Sequence, residues 1–276
     1  MTLYAVIIAI ETLAVFSPPP VAMTSDLMGG VYLATPNEIF HYSSDTLVES
    51  NSRYKESLLS GISDIAYSGQ WIFVSLPMRG KIFQFDRYLR FVGEIETDNF
   101  FPGNIAVSAD GSLWCFDPES KKIYAYSSVG DPIENYRVPG AADLHKPDFT
   151  GITQWNNLVH YLKTQDMIVA QTDIDDIGEI ESPIIWSKSD NTIIAGIERE
   201  NYIKINRNME DLYIDNDNIY YITDSMGLVL NDMPQIDWGY DIPDDIIVYQ
   251  RHSFSNIYTI IDNKLIKHLV QWKSQQ

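Results

Sequence analysis

Two acidic runs, Asp173-Ile174-Asp175-Asp176-Ile177-Gly178-Glu179 and Asp215-Asn216-Asp217-Asn218, are dense in oxygen ligands, and calcium is the chemistry they would serve. Neither has EF-hand spacing: in the first, Ile177 stands where a ligand is needed and Ile184 where the closing glutamate would be. The second lies between two apolar runs and reads as a hairpin turn, a setting that favours Asn and Asp for their tolerance of positive φ. His41, His145, His160, His252 and His268 form no pair at metal-ligand spacing. The single cysteine, Cys115, sits in the apolar run Leu113-Trp114-Cys115-Phe116 and reads as a core residue, which excludes an internal disulfide and a thiolate cluster. The chain has no Gly-x-Ser-x-Gly elbow, no phosphate-cradling glycine loop and no dinucleotide fingerprint. Chemistry carried by a local motif is therefore not expected. The aromatic residues suggest binding instead: Trp155, Trp186 and Trp238 fall close to the ends of apolar runs, where large, stiff rings suit a contact rim.

The elements that would position these residues are strands. Asp64-Ile65-Ala66-Tyr67, Trp71-Ile72-Phe73-Val74, Lys81-Ile82-Phe83-Gln84-Phe85 and Arg90-Phe91-Val92-Gly93-Glu94-Ile95 are separated by turns at Ser68-Gly69-Gln70 and through Pro77 and Gly80. The same order returns about 40 residues later as Asn104 to Val107, Leu113 to Phe116, Lys122 to Tyr126 and Ile133 to Val138. Four antiparallel strands repeated at that interval predict an all-β propeller, because one meander cannot bury both of its faces and neighbouring sheets must pack radially until the ring closes. Units starting near residues 21, 64, 104, 151, 183, 211 and 245 favour seven blades, with six next because the step from 183 to 211 is short. Closure is expected to pair strands from the two chain ends within one blade.

Composition bounds the partners. The 276 residues carry 38 acidic and 19 basic side chains, a formal charge of −19, so nucleic acid and anionic lipid are repelled. With 45% hydrophobic residues the chain can bury a substantial core. Met1 to Phe16 is apolar apart from Thr2, Glu11 and Thr12 and is followed by Ser17-Pro18-Pro19-Pro20. That pattern reads as a signal peptide over residues 1–17, with the propeller domain over 18–276 and an exported, extracytoplasmic location; the alternative is that Leu3 to Ile10 is a strand closing the ring. The stretch is too short for a stable membrane span.

Phe101-Pro102-Gly103-Asn104-Ile105-Ala106-Val107-Ser108-Ala109-Asp110-Gly111-Ser112-Leu113-Trp114 resembles the blade motif of NHL-repeat and gluconolactonase-like propellers, in which an Asn begins the inner strand and an Asp-Gly turn leads into an aromatic-bearing second strand. Residues 61 to 97 share the likeness less fully. The resemblance implies a central channel where calcium-dependent lactonases of this group hold a metal on inner-strand starts, and Asp64, Asn104, Asp211 and Asp245 occupy matching positions. The ligand glutamate expected from the first blade has no counterpart, and local capping of strand entries accounts for the same residue types. The sequence thus reads as a propeller without catalytic activity or cofactor that binds another protein or serves as a scaffold. Loops 140–150 and 231–244, with Trp155, Trp186 and Trp238, would form its rim. A Ca²⁺-dependent hydrolase and a structural subunit of a surface assembly are the alternatives.

Overall fold

In the computed structural model, the backbone is described for residues 3–97, 100–108, 110–134, 149–155, 158–163, 166–170, 184–187, 192–195, 201–204, 209–215, 218–223, 227–230, 236–237, 245–251 and 254–274. Side chains are described over 8–134 within those limits and at a smaller set of later positions, chiefly 256–269. The described residues are almost wholly strand, with one turn of 3-10 helix at Pro77–Arg79.

The first sheet is a meander of Ala22–Ser25, Val31–Thr35, Glu38–Ser43 and Thr46–Asn51. The second is formed by Asp64–Tyr67, Trp71–Leu76, Lys81–Asp86 and Phe91–Glu96, and the third by Ile105–Val107, Leu113–Asp117 and Lys122–Tyr126. Beside the third, Ile133 N–H donates to the Ala125 carbonyl at 2.9 Å, where the sequence places a fourth strand; residues 135–138 of that strand lie outside the described residues. Phe149–Trp155, Leu158–Lys163, Asp166–Ala170, Ile184–Ser187, Thr192–Ala195 and Asn201–Lys204 form one six-stranded sheet. The units read as starting at Gly151 and Pro183 therefore share a sheet, because Ile168 pairs with Ile185 and Val169 with Ile184 across their boundary. Met209–Asp215, Asn218–Thr223, Gly227–Leu230 and Ile236–Asp237 make a fifth sheet.

The last sheet joins the two ends of the chain. Asp245–Arg251, Phe254–Ile261 and Lys264–Ser274 are completed on the outside by Leu3–Val15, which pairs from Leu3 opposite Ser274 to Val15 opposite Lys264. This is the closing strand that the sequence offered as the alternative for Leu3 to Ile10, and it extends to Val15. Phe16 ends it: its N–H donates to the Asn263 carbonyl at 2.8 Å, and the Asn263 amide donates back to the Phe16 carbonyl at 3.1 Å.

Successive strand residues point to opposite faces, and here both faces are buried. Ile72, Val74 and Leu76 pack against Tyr32, Ala34 and Ile39 of the first sheet. Phe73 and Ile82 point the other way, onto Ile105, Leu113 and Cys115 of the third. Trp114 and Phe116 in turn meet Ile152, Val159 and Tyr161 of the next sheet, while Tyr258, Ile260 and Leu265 of the closing sheet meet Val31, Leu33 and Tyr42 of the first. This two-sided burial explains why the strands read as continuous apolar runs. The innermost strands stand side by side in the order Asp245–Arg251, Ala22–Ser25, Asp64–Tyr67, Ile105–Val107, Phe149–Trp155 and Met209–Asp215, and Ile236–Asp237 comes beside Leu3–Val15, so the sheets follow one another around an axis. Turns need specific residues: Gly80 adopts φ +59° at the end of the 3-10 turn, and a Cβ on Gly30 would lie 2.2 Å from the Tyr42 carbonyl oxygen.

Candidate functional site

In a meander, the first and third turns share one end of the sheet, and the second turn shares the other with the connections between sheets. For the second sheet, 68–70 and 87–90 therefore form a turn face, and 77–80, with the connection at 52–63 and the residues Thr97 and 100–104, a loop face.

Asp64 enters its inner strand from the loop face and is half-buried. Its Oδ1 accepts from Ile65 N–H at 2.8 Å and its Oδ2 from Ile105 N–H at 2.8 Å, so one carboxylate caps its own strand and bridges to the next inner strand. Asn104 is exposed immediately before Ile105, and its carbonyl accepts from Phe116 N–H at 2.9 Å. Asp211 follows a register shift in Met209–Asp215, and Asp245 begins its strand opposite Ile260; both are placed by backbone alone. All four belong to inner strands or their entries, and among the described residues no three His, Cys, Asp or Glu side chains gather around a metal-sized space.

At the turn-face end of the same strands, Gln154 accepts at Oε1 from Val107 N–H at 2.9 Å and donates from Nε2 to the Tyr67 carbonyl at 2.8 Å. Inner strands present an open edge to the axis, and a backbone group left without a partner there costs as much as a lost hydrogen bond. Asp64 and Gln154 satisfy such groups, one at each end. The sequence singled out Asp64 by its type; Gln154 carries no such mark.

Exposed apolar side chains stand on the loop face. Met78 is 87% exposed, Leu58 60% and Phe101 47%, on three connections held to one another. Arg79 donates to Ser60 Oγ at 3.0 Å and to the Tyr54 hydroxyl, Thr97 N–H donates to the Gly80 carbonyl at 3.0 Å, and Ser75 Oγ donates to the Gly103 carbonyl at 2.8 Å. Tyr54, in the short hairpin of Arg53–Tyr54 and Ser57–Leu58, packs its ring 4.4 Å from Phe83 and 5.8 Å from Phe91. Sequence reasoning missed these residues; the apolar Met78 inside the turn signal Pro77-Met78-Arg79-Gly80 was the available clue.

Of the residues expected on a rim, Trp155 closes the hairpin opposite Leu158. Trp186 lies inside the six-stranded sheet between Met167 and Ile193. Trp238 lies outside the described residues, as do 140–148, 173–179, and all of 231–244 except the strand Ile236–Asp237. Asp215 pairs with Asn218 across the hairpin expected there. Cys115 is fully buried, and burial pushes its thiol well up, away from the reactive thiolate. Burial also lowers His268 to about 4; its Nε2 lies 3.0 Å from Thr259 Oγ1. His41 Nε2 lies 3.2 Å from the buried Asp26 Oδ2, and its ring stacks 4.2 Å from Tyr32.

No known protein family matches the chain, and no curated protein matches its sequence significantly. Solved structures do match. The chain is similar to virginiamycin B lyase from Staphylococcus aureus, at 12% identity and TM-score 0.60 over 97% of this chain and 99% of that one. It is similar to a streptogramin B lyase at 13% identity and TM-score 0.62, covering 96% and 98%. It is also similar to the WD40 repeats of RRP9 at 8% identity and TM-score 0.65, covering 95% and 97%. The chain is thus a β-propeller of mostly four-stranded antiparallel sheets. At these identities the similarity is one of fold, and a fold hosts many activities. Among the described residues no helix is long and apolar enough to cross a membrane.

Proposed function

We propose that this propeller is a binding module for another protein and that the loop face of its second sheet is the contact surface. The observation that supports this is the exposure of Leu58, Met78 and Phe101 on connections stiffened by Arg79, Gly80 and Thr97. Apolar side chains on fixed loops bury area with little ordering cost, and Met, aromatic and Arg residues are the types enriched where proteins meet. The bonds of Asp64 support a structural use for this channel residue, since both of its carboxylate oxygens already accept backbone N–H groups.

A photo-crosslinking side chain placed at position 78 or 101 tests the reading in the source organism, with position 92, on an exposed outer strand, as the control. The expected result is one partner adduct shared by 78 and 101 and absent at 92. Adducts of equal yield at all three positions, or none at 78 and 101, would overturn it.

A further inference from the structure

On the turn face, away from those loops, the turns following Asp64–Tyr67 and Lys81–Asp86 flank a cavity of about 330 Å³, open to solvent and lined by the exposed Gly69, Gln70, Arg87 and Tyr88 and the half-buried Asp86. Both walls are fixed. In the first turn, Ser68 Oγ accepts from Trp71 N–H at 2.9 Å, and the Tyr67 hydroxyl donates to the Gly69 carbonyl at 2.7 Å. In the second, Asp86 Oδ1 accepts from Tyr88 and Arg90 N–H at 2.9 and 3.0 Å. Two side chains of the first sheet hold the carbonyls of this second turn: the Tyr32 hydroxyl donates to Arg87 at 3.2 Å and the Asn51 amide to Leu89 at 2.7 Å. Leu89 itself is buried, anchoring the turn in the core.

The cavity is a local exception in an acidic chain. Asp86 is matched by Arg90, whose Nη2 lies 2.6 Å from Oδ2. Arg87 is matched by no carboxylate among the described residues: its Nη2 donates to the Tyr88 phenol oxygen at 2.6 Å, and its guanidinium is held 4.7 Å from that ring's centroid. Arg87 and Tyr88 are both exposed, and this contact leaves guanidinium N–H donors for a ligand. Gln70 supplies an amide on the same lining. We propose that this cavity is a binding site for a carboxylate, with Arg87 as the cation and Gln70 as the second polar contact. Carboxylate and phosphate both fit the guanidinium fork, and the net charge of −19 repels the single charge of a carboxylate less than the double charge of a phosphate. The carboxylate would come from a free small acid or from an acidic side chain of a protein, and the site lies beyond the loop-face reading.

The test follows the Arg87 Nε–Hε resonance of the full chain by NMR, assigned through its loss in Arg87→Lys. The probes are N-acetyl-glutamate methylamide, its glutamine counterpart, acetate and inorganic phosphate. The glutamate probe should give a saturable shift with a Kd on the order of 1 mM, and the glutamine probe at least tenfold weaker binding. Independently, heteronuclear shifts of the Gly69 and Tyr88 amides should show binding lost in Arg87→Gln and kept in Arg53→Gln, an exposed arginine elsewhere. Acetate binding as tightly as the glutamate probe assigns a small acid; tighter binding of the glutamate probe assigns a protein side chain. Equal shifts with the glutamine probe, no saturation, tighter binding of phosphate, or binding unchanged in Arg87→Gln would overturn the proposal.

Discussion

Phe16→Ala should unfold this ring more easily than any change to the exposed half of the same N-terminal segment. Phe16 is 6% exposed in the cluster with Met23, Val31, Leu33, Tyr42, Tyr258, Ile260 and Leu265, so it packs the seam between the closing sheet and the first. Its ring meets Phe40 edge-on at 5.1 Å and Tyr42 at 6.3 Å. Truncating a buried Phe to Ala costs about 3–5 kcal/mol, of which each edge-on pair supplies about 0.5–1.5. Against a total stability of about 5–15 kcal/mol, that is a large fraction. Val15→Ala, one residue earlier and 64% exposed, is the control, and should stay within about 0.5 kcal/mol of wild type. Urea denaturation followed by far-UV circular dichroism reads both as midpoint shifts at unchanged slope. If Phe16→Ala shifts the midpoint no more than Val15→Ala, then residues 3–16 do not close the ring, and the pairing of Leu3–Val15 with Lys264–Ser274 is not a stability element.

Other consequences follow from single bonds. Gln154→Ala leaves Val107 N–H and the Tyr67 carbonyl without this partner and should cost about 1–3 kcal/mol by the same denaturation assay, while a neutral result would remove the channel-end link. Asp64→Ala should lower stability by a similar amount, about 1–3 kcal/mol, through Ile65 and Ile105 N–H, with thermal melting of wild type and variant alike indifferent to Ca²⁺ and to chelator. A calcium-dependent rise lost in Asp64→Ala would instead establish a channel metal. His268 binds its proton near 6.5 when unfolded and at about 4 when folded, so between those values the unfolded chain holds more protons and stability falls as pH falls. The loss should be on the order of 3 kcal/mol below pH 4, and comparing unfolding at pH 7 and 4.5 should show a smaller drop in His268→Gln than in wild type.

The second sheet and the first three strands of the third were the most legible in the sequence because each strand is a short β-branched or aromatic run bounded by Gly, Pro, Asp or Ser, and the structure moves their ends by one or two residues at most. The hairpin of Arg53–Tyr54 and Ser57–Leu58 was not legible, since what holds it is Tyr54 on Phe83 and Phe91, a tertiary contact with no local pattern. Nor could periodicity tell that Ile184–Ser187 extends the sheet of Asp166–Ala170, because strand spacing does not choose a lateral neighbour. Met1 to Phe16 has the composition of a leader and of a buried-edge strand alike; the strand it forms depends on Lys264–Ser274, at the far end of the chain. For the site, residue type led to Asp64 and its capping bond to Ile65, but the bond to Ile105 needs the neighbouring sheet to be in place. Gln154 emerges only when strands distant in sequence are brought around one axis, and of the rim of Leu58, Met78 and Phe101 only Met78 left a mark, inside the turn Pro77-Met78-Arg79-Gly80.

The most direct measurement on the binding claim is the affinity of the crosslinked partner for wild type, for Met78→Asp/Phe101→Asp, and for the exposed outer-strand control Val92→Asp. Loss of a central apolar anchor costs about 2 kcal/mol or more, about 30-fold in Kd. Weakening by at least that factor in the double variant, with Val92→Asp unchanged, is the predicted result; wild-type affinity in the double variant, measured on a chain that melts normally, would contradict it.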